Sequence, residues 1–464
     1  MSDFSFKSLG DLSTGLNQKA FSATELLEAV ITRHDQLEPR LNMFCHVDFD
    51  AARVSARASD ERIRRGERIG VLDGIPTSIK DLIAVRDMPQ RFGSRAVSDA
   101  PVAQDAPSVE RLRKAGAVIL GKSTTSEFGC KAVGDSPLTG ITRNPWNPEK
   151  TPGGSSCGAA AMVAAGLVPY AIGTDGGGSV RIPASLCGLF GIKAQFGRVP
   201  VFPTSATPTL AHVGPLTRNV EDAATVLSVI AGYDRRDPAT VNGPLADPDV
   251  AMRDPRRMRV AWSPTLGYGR VDPEVAQITA NAVATIAGLD VDVELVDHVM
   301  DDPVDLWAAE FYAGVGTKLR QVLLDAPERL DPAVLEVLRI AISQDMDSYY
   351  QKVFERYAFR EKMRQFFQGY DLLLTPTLPV AAFDVGHDVP PGYADKSIVS
   401  WATFTYPFNL TGQPAASLPV GMTRAGLPVG LQIVAPSHDE AAIFTLAARF
   451  QNATSAAPDL RPAL

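Results

Sequence analysis

A glycine-rich segment that ends in a serine is the part of the sequence best suited to chemistry. Residues 173–179 read Gly-Thr-Asp-Gly-Gly-Gly-Ser and follow an apolar, strand-like run. Three consecutive glycines let backbone N–H groups converge without obstruction by Cβ atoms, which makes a concavity for negative charge. The hydroxyl of Ser179 would lie beside donors suited to a tetrahedral oxyanion. The same residues fit a glycine-rich turn with a capping serine, so this motif alone leaves acyl transfer and a plain turn both open.

A second glycine motif matches a nucleotide-binding pattern. Residues 116–123 read Gly-Ala-Val-Ile-Leu-Gly-Lys-Ser, which satisfies GxxxxGK[ST]. A phosphate-binding loop needs an apolar strand before the first glycine and a flexible polar loop between the glycines. Here the strand-like residues lie between the glycines, and a helical pattern precedes Gly116. We therefore reject nucleotide binding.

A third motif offers another nucleophile. Residues 154–158 read Gly-Ser-Ser-Cys-Gly and match GxSxG, the nucleophile turn of α/β-hydrolases, with Ser156 at the centre. An esterase of this class also requires an acid and then a histidine downstream. The segment fits equally a turn with a serine that caps the following Ala-rich helix. The candidate histidines, none in a distinctive setting, are His212, His298, His387 and His438.

Composition and charge argue against several classes of function. The chain has 464 residues and a formal net charge of −8, and no run of Lys or Arg is long enough to follow a phosphate backbone, so no nucleic-acid partner is expected. The four cysteines form no CxxC pair, which favours a reducing, cytoplasmic location and no metal site. Residues 1–15 lack the apolar core of a secretory signal, and the longest uncharged stretch, 157–174, contains Pro169. We therefore expect no membrane partner.

The elements that would position these motifs alternate between strands and helices. Ser22 and Glu25 form a capping box that predicts a helix through Leu37, and residues 50–65 and 301–370 are also helical by pattern. Alternation of buried strands with helices favours an α/β fold around a mixed sheet. The predicted strands are 117–120, 168–172, 258–262, 291–295, 372–374, 415–420 and 429–434, and further predicted helices are 108–114, 220–230 and 273–286.

Other segments accompany the serine motif. Residues 74–81 read Gly-Ile-Pro-Thr-Ser-Ile-Lys-Asp, and residues 151–156 read Thr-Pro-Gly-Gly-Ser-Ser. With the 173–179 segment, this set resembles the amidase signature family, and the resemblance covers essentially the whole chain. It implies one amidase domain over 1–464, with a large mixed twisted sheet covered on both faces by helices. It also implies a motif-rich catalytic core at about 66–230 and a variable, substrate-shaping region at about 300–400. Further segments that look like the family are 121–128, 144–146, 214–218, 408–414 and 426–432.

The resemblance assigns a role to each residue of the site. Ser179 becomes the nucleophile, Ser155 the proton relay and Lys80 the base, with a cis peptide bond between Gly154 and Ser155. The oxyanion would be bound by backbone N–H groups of Gly176, Gly177, Gly178 and the nucleophile itself. No metal and no organic cofactor is implied. Two positions depart from the usual family residues. Position 176 is glycine here, whereas the family commonly has a larger residue there. Position 157 is cysteine here, whereas the family usually has glycine, and we expect Cys157 to be a packing residue.

A base at Lys80 must be uncharged, because an ammonium group has no lone pair with which to accept a proton. Lowering its pKa from about 10.4 to about 7–8 requires roughly 3–5 kcal/mol of destabilisation of the charged form. Burial among Pro76, Ile79 and neighbouring apolar residues could provide part of this. Asp81 would oppose the shift if it faced the amine, so we expect its carboxylate to point away.

The substrate is less well defined by the sequence. Phe128, Gly129 and Cys130, together with later helical aromatics, are expected to shape a pocket for an uncharged aryl or alkyl amide. A carbamate hydrolase of the same family and the glutaminase subunit of a tRNA-dependent amidotransferase remain alternatives, as does an esterase that uses Ser156. The expected partner is a small-molecule amide or carbamate, and a homodimer is possible.

Overall fold

A computed structural model describes residues 4–243, 245, 247–455 and 461–464. These residues form an eleven-stranded sheet and a separate two-stranded ribbon, β4–β5. The strands are β1 (Phe44–Val47), β2 (Pro76–Lys80), β3 (Val118–Ser123), β4 (Asp135–Ser136), β5 (Gly140–Ile141), β6 (Tyr170–Asp175), β7 (Phe190–Lys193), β8 (His212–Thr217), β9 (Met258–Trp262), β10 (Val291–Leu295), β11 (Leu372–Pro376), β12 (Ala415–Met422) and β13 (Pro428–Val434).

The large sheet mixes parallel and antiparallel pairs. Its order is β1-β3-β2-β6-β8-β7-β12-β13-β11-β9-β10. Strands β3, β2 and β6 run parallel to one another, and β6 then pairs antiparallel with β8. Every residue of β2 and β3 is buried, which is typical of a sheet with both faces covered. Because parallel strands end at the same edge of a sheet, the last residues of β2 and β6 come together, and this edge carries the site.

Helices cover the sheet and follow from amphipathic patterns and caps. The Ser22 hydroxyl and the Glu25 side chain form the expected reciprocal cap at the start of α2. The helices are α1 (Leu9–Asn17), α2 (Ala23–Leu41), α3 (Phe49–Arg65), α4 (Pro107–Lys114), α5 (Cys157–Ala164), α6 (Arg181–Cys187), α7 (Val220–Ile230), α8 (Pro248–Met252), α9 (Pro273–Ala287), α10 (Val304–Lys318), α11 (Arg320–Asp325), α12 (Pro332–Ile342), α13 (Met346–Phe366), α14 (Pro407–Thr411) and α15 (Glu440–Thr454), with 3₁₀ turns at Glu127–Gly129 and Pro327–Arg329.

The predicted fold class, α/β with a large mixed sheet, is confirmed. All seven strands predicted from apolar runs are present, and the predicted helices agree to within a few residues. Strands β1, β2, β4, β5, β7 and β8 are not among the predicted strands. In β8, Gly214 and Pro215 interrupt the strand pattern. No helix in the described ranges combines the length and apolar character that crossing a bilayer requires.

Candidate active site

Lys80 is the last residue of β2, and its amine meets three hydroxyl groups. The side chain is fully buried. Its Nζ lies 2.7 Å from Ser155 Oγ, 2.9 Å from Ser156 Oγ and 2.9 Å from Thr174 Oγ1. Thr174 reaches this point because β6 runs parallel to β2. The structure therefore brings together the predicted base and the predicted relay serine. It adds the hydroxyl of Ser156, which the sequence offered only as an alternative nucleophile, and that of Thr174, which the sequence did not single out.

Burial controls the charge of this amine. Removal from water disfavours the ammonium form and lowers the pKa of Lys80 to about 7, against weaker opposing effects of Cys157 and Asp175. Asp81, the next residue, faces away as expected, and its carboxylate lies 3.2 Å from Lys122 Nζ. A large share of the Lys80 amine is therefore neutral near pH 7 and able to accept a proton.

The two neighbouring serines are held differently. The peptide bond between Gly154 and Ser155 is cis, as the family resemblance implied. Ser155 lines a cavity, whereas Ser156 is fully buried. The Ser156 hydroxyl donates to the carbonyl of Thr174 (3.2 Å) and accepts the N–H of the same residue (3.3 Å). The Ser156 N–H donates to the carbonyl of Ser179 at 3.3 Å, which joins the relay segment to the predicted nucleophile.

This arrangement contradicts an α/β-hydrolase centre at Ser156. Its hydroxyl is enclosed by Lys80 and β6 and does not line the cavity. His212 does line the cavity, but its ring contacts Lys193 and the backbone instead of a serine. In the described ranges, no histidine forms a hydrogen bond with Ser156. These contacts argue against Ser156 as the nucleophile, because they make its hydroxyl a buried link between Lys80 on β2 and Thr174 on β6.

A buried ion pair anchors the glycine-rich loop. Asp175 and Arg181 are both fully buried, with Oδ1 of the aspartate 2.9 Å from Nη2 of the arginine. The same oxygen accepts an N–H of the Asn409 side chain at 2.9 Å. Burial alone would raise the pKa of Asp175, but the charge and hydrogen bonds of Arg181 hold it well below its ordinary value. The carboxylate therefore stays ionised and fixes the loop that carries Ser179.

The loop leaves some N–H groups unused. The Gly178 N–H donates to Asp175 Oδ1 at 2.8 Å, so it is already paired, which removes Gly178 from the predicted oxyanion donors. The loop carbonyls are also occupied: Trp307 Nε1 donates to Gly176 (2.8 Å) and the Thr405 hydroxyl to Gly177 (2.7 Å). Within the described part of the chain, the N–H groups of Gly176, Gly177 and Ser179 have no hydrogen-bond acceptor. These three remain available to an oxyanion.

A cavity of about 300 Å³ opens over these groups and is lined by both Ser155 and Ser179. Of the three predicted pocket residues, Phe128 and Gly129 line it. Cys130 does not, because its side chain is fully buried in an apolar cluster with Tyr312 and Trp307. Other lining residues, found only from the structure, include Leu82, Ile83, Gln90, Phe92, Val97, Phe202, His212, Phe311, Val315 and Lys318.

Both departures from the usual family residues affect packing. A Cβ atom added to Gly176 would lie 2.7 Å from Phe311 Cε2, so the absence of a side chain makes room for this ring beside the loop. Cys157 is buried with its Sγ 3.5 Å from Thr124 Oγ1, and burial raises the pKa of its thiol. A reactive thiolate at Cys157 is therefore disfavoured. In the described ranges, no cluster of His, Cys, Asp or Glu side chains has the geometry to hold a metal ion.

Asp175→Asn is expected to destabilise the protein strongly. The change leaves the Arg181 guanidinium buried without a carboxylate, which costs about 3–5 kcal/mol in the free energy of unfolding. Urea unfolding followed by circular dichroism would measure this. The matched control is Asp384→Asn, because Asp384 is 62% exposed and pairs with Lys150 at the surface, where the expected loss is below about 1 kcal/mol. Equal, small losses in both variants would contradict a stabilising role for the buried pair.

Comparison with known proteins agrees with this geometry. The family model described as Amidase matches residues 25–444. An acylamidase of Rhodococcus erythropolis is 35% identical over 458 residues, which cover 95% of this chain and 94% of that protein. A glutamyl-tRNA(Gln) amidotransferase subunit of Chloroflexus aurantiacus is 34% identical over 461 residues, which cover 93% of each chain.

Solved structures are similar over nearly the full length. A bacterial aryl acylamidase of the amidase signature enzymes superimposes with a TM-score of 0.92 at 29% identity, over 98% of this chain and 97% of that one. A 6-aminohexanoate cyclic dimer hydrolase complexed with substrate gives 0.88 at 27% identity, over 98% of each chain. From the match over residues 25–444 and the 35% identity to an acylamidase, we conclude that this chain belongs to the amidase signature family and is an amide-hydrolysing enzyme.

Proposed function

We propose that the enzyme hydrolyses uncharged, mainly apolar amides with Ser179 as nucleophile, Ser155 as relay and Lys80 as base. One observation carries the proposal: a buried amine with a pKa of about 7 lies 2.7 Å from the Ser155 hydroxyl, at a cavity that Ser179 also lines. A neutral amine beside a hydroxyl can draw a proton through it from a second hydroxyl.

The reaction then proceeds in two halves. Ser179 Oγ attacks the amide carbonyl while its proton passes through Ser155 to Lys80. The tetrahedral oxyanion is stabilised by the N–H groups of Gly176, Gly177 and Ser179, which are fixed in advance by the anchored loop. The proton returns through the relay to the leaving nitrogen, because an amide nitrogen leaves poorly unless it is protonated. Water attacks the acyl-enzyme by the reverse route and releases the acid.

The cavity lining favours a substrate without charge. Among its described lining residues, the ionisable side chains are Asp175, His212 and Lys318. Asp175 is neutralised by Arg181, and burial lowers the pKa of His212 well below its ordinary value, so this ring is neutral. Lys318 is solvent-exposed on α10, with its amine 3.1 Å from the carbonyl of Thr204.

A glutaminase must hold both the ammonium and the carboxylate group of free glutamine. Burial of an ammonium without a carboxylate partner is strongly unfavourable. In the described lining, Asp175 is the one carboxylate, and Arg181 already binds it. This favours an acylamidase over the glutaminase component of an amidotransferase.

A panel of substrates tests this assignment with the purified chain alone. We expect kcat/KM for acetanilide and for aliphatic N-alkyl amides to exceed that for glutamine by at least about 100-fold, since glutamine would have to be desolvated without a partner for its ammonium group. Phenyl carbamates belong in the panel because the same attack cleaves them. A preference for glutamine, or activity that depends on a second protein, would overturn the acylamidase assignment.

A further inference from the structure

Two phenylalanines form a stacked pair on the wall of the cavity. Phe92 and Phe128 both line it and are only partly buried. Their ring centroids are 5.8 Å apart and their planes differ by 21°. The Phe128 N–H donates to the carbonyl of Phe92 at 2.8 Å. The two rings are therefore linked through the backbone as well as by contact.

Both residues have an unusual backbone conformation. Their φ angles are +57° for Phe92 and +49° for Phe128, in the left-handed region that bulky residues rarely adopt. Proteins keep such residues where the surroundings enforce them, and these positions concentrate at active sites and ligand clamps. Gly129, next in the chain, adjoins the proposed relay, since a Cβ atom there would lie 3.1 Å from Ser155 Oγ. The strained pair is thus next to the reacting groups.

Asp81 holds the Phe92 turn in place. Its carboxylate accepts the N–H groups on either side of Phe92, from Arg91 at 3.3 Å and from Gly93 at 3.2 Å. Lys122 neutralises this buried carboxylate at 3.2 Å. Because Asp81 directly follows Lys80 in the chain, the strand end that delivers the proposed base also fixes the position of the Phe92 ring.

The side chains on this wall of the cavity are apolar or have their polar group already paired, which suits a flat, uncharged ring. Its other side chains include Leu82, Ile83 and Val97, and the Gln90 amide is engaged with the carbonyl of Leu82 at 2.9 Å. We infer that Phe92 and Phe128 form an aryl-binding subsite that selects substrates with an aromatic ring attached directly to the amide. This inference rests on the proposed function for the bond that is cleaved. Both rings are only partly buried and line the cavity, so they can contact a bound ligand.

Binding to a Ser179→Ala protein tests the subsite without turnover. Calorimetry compares acetanilide with N-cyclohexylacetamide, and benzamide with cyclohexanecarboxamide, so that each pair differs in ring flatness at similar size. In this background, Phe92→Leu and Phe128→Leu should each raise the Kd of at least one aryl ligand by about 3- to 10-fold and that of its cyclohexyl partner by less than about 2-fold. A higher Kd for acetanilide would show that the subsite binds the ring on the amine side of the amide. A higher Kd for benzamide would show that it binds the ring on the acyl side.

Conservative and distant variants complete the experiment. Phe92→Tyr and Phe128→Tyr keep the ring and should retain the aryl preference. Phe354→Leu, on α13 and 69% exposed, should leave all four Kd values unchanged. Equal losses for aryl and cyclohexyl ligands, or an unchanged ratio in both leucine variants, would overturn the subsite. If the protein with Ser179 intact hydrolyses none of the four amides while the binding preference holds, the proposed function fails and the subsite stands.

Discussion

Replacement of Ser179 by alanine is expected to lower kcat/KM for amide hydrolysis by about four to six orders of magnitude. The hydroxyl that would form the acyl-enzyme is lost, while the loop around it keeps its anchors, because the carboxylate of Asp175 binds Arg181 and the Gly178 N–H. The variant should therefore fold and still bind substrate. Steady-state kinetics would measure the loss of kcat/KM. Intact-mass detection of covalent labelling by a fluorophosphonate would measure the expected loss of labelling.

Ser156→Ala is the informative comparison for this experiment. Ser156 lies 2.9 Å from Lys80 Nζ but does not line the cavity. Its removal should reduce the rate by loosening Lys80, while stoichiometric labelling at Ser179 persists. Peptide mapping identifies the modified serine. A fluorophosphonate adduct on Ser156, or full labelling of the Ser179→Ala protein, would show that the nucleophile has been misassigned.

The architecture could be predicted because its strands are apolar and its helices carry clear start signals. The run at β13 is buried throughout, and β9 is buried except at Arg259. Ser22 with Glu25 marks a helix start without any tertiary information. Strand β8 could not be predicted in the same way, since Gly214 and Pro215 resemble a turn in isolation. Their extended conformation depends on pairing with β6, which is a long-range contact.

In the site, likewise, some features could be predicted from motifs and others depend on contacts that only the structure shows. The motifs placed Lys80 and Ser155 correctly beside each other, because the resemblance carries information about distant segments. The structure reduces the predicted oxyanion donors from four to three, because the Gly178 N–H binds the carboxylate of Asp175. Three glycines in sequence do not reveal which of their N–H groups makes this contact. Cys130 was misplaced for a local reason: the 3₁₀ turn at Glu127–Gly129 brings Phe128 and Gly129 to the cavity, and the next side chain enters the core.

The position of Phe92 in the cavity wall could not be predicted from any sequence pattern. It lies outside the described helices and strands, between Gln90 and Gly93, and matches no motif. Its place in the cavity follows from two amide hydrogens that bind Asp81 and from the contact with Phe128. A buried Asp next to the proposed base could have suggested that a second loop is held nearby, but which loop this is could be seen only in the structure.

Lys80→Met is expected to lower kcat/KM by about three to four orders of magnitude, because it removes the proposed base but keeps a side chain of similar length. The pH dependence makes the test specific. The amine must be neutral to accept the proton, so below its pKa of about 7 the wild-type kcat/KM should fall about tenfold per pH unit, and above it should level off. The Lys80→Met enzyme should lose this acidic limb. Profiles from pH 5 to 9 with a neutral amide measure both effects.

The acidic limb can be assigned to Lys80 because its ionisable neighbours titrate elsewhere. The pKa of Asp175 is held well below its usual range by Arg181, and burial lowers the pKa of His212 well below its ordinary value. Lys150→Met is the matched control, since Lys150 pairs with Asp384 at the surface and should leave the profile unchanged. If the Lys80→Met enzyme keeps an inflection near pH 7 in its kcat/KM profile, Lys80 is excluded as the base. The variant has no amine at this position, so the inflection would have to come from another group. The relay would have to deliver its proton to another group, and the hydroxyls of Ser156 and Thr174, which are far weaker bases than an amine, could not replace it.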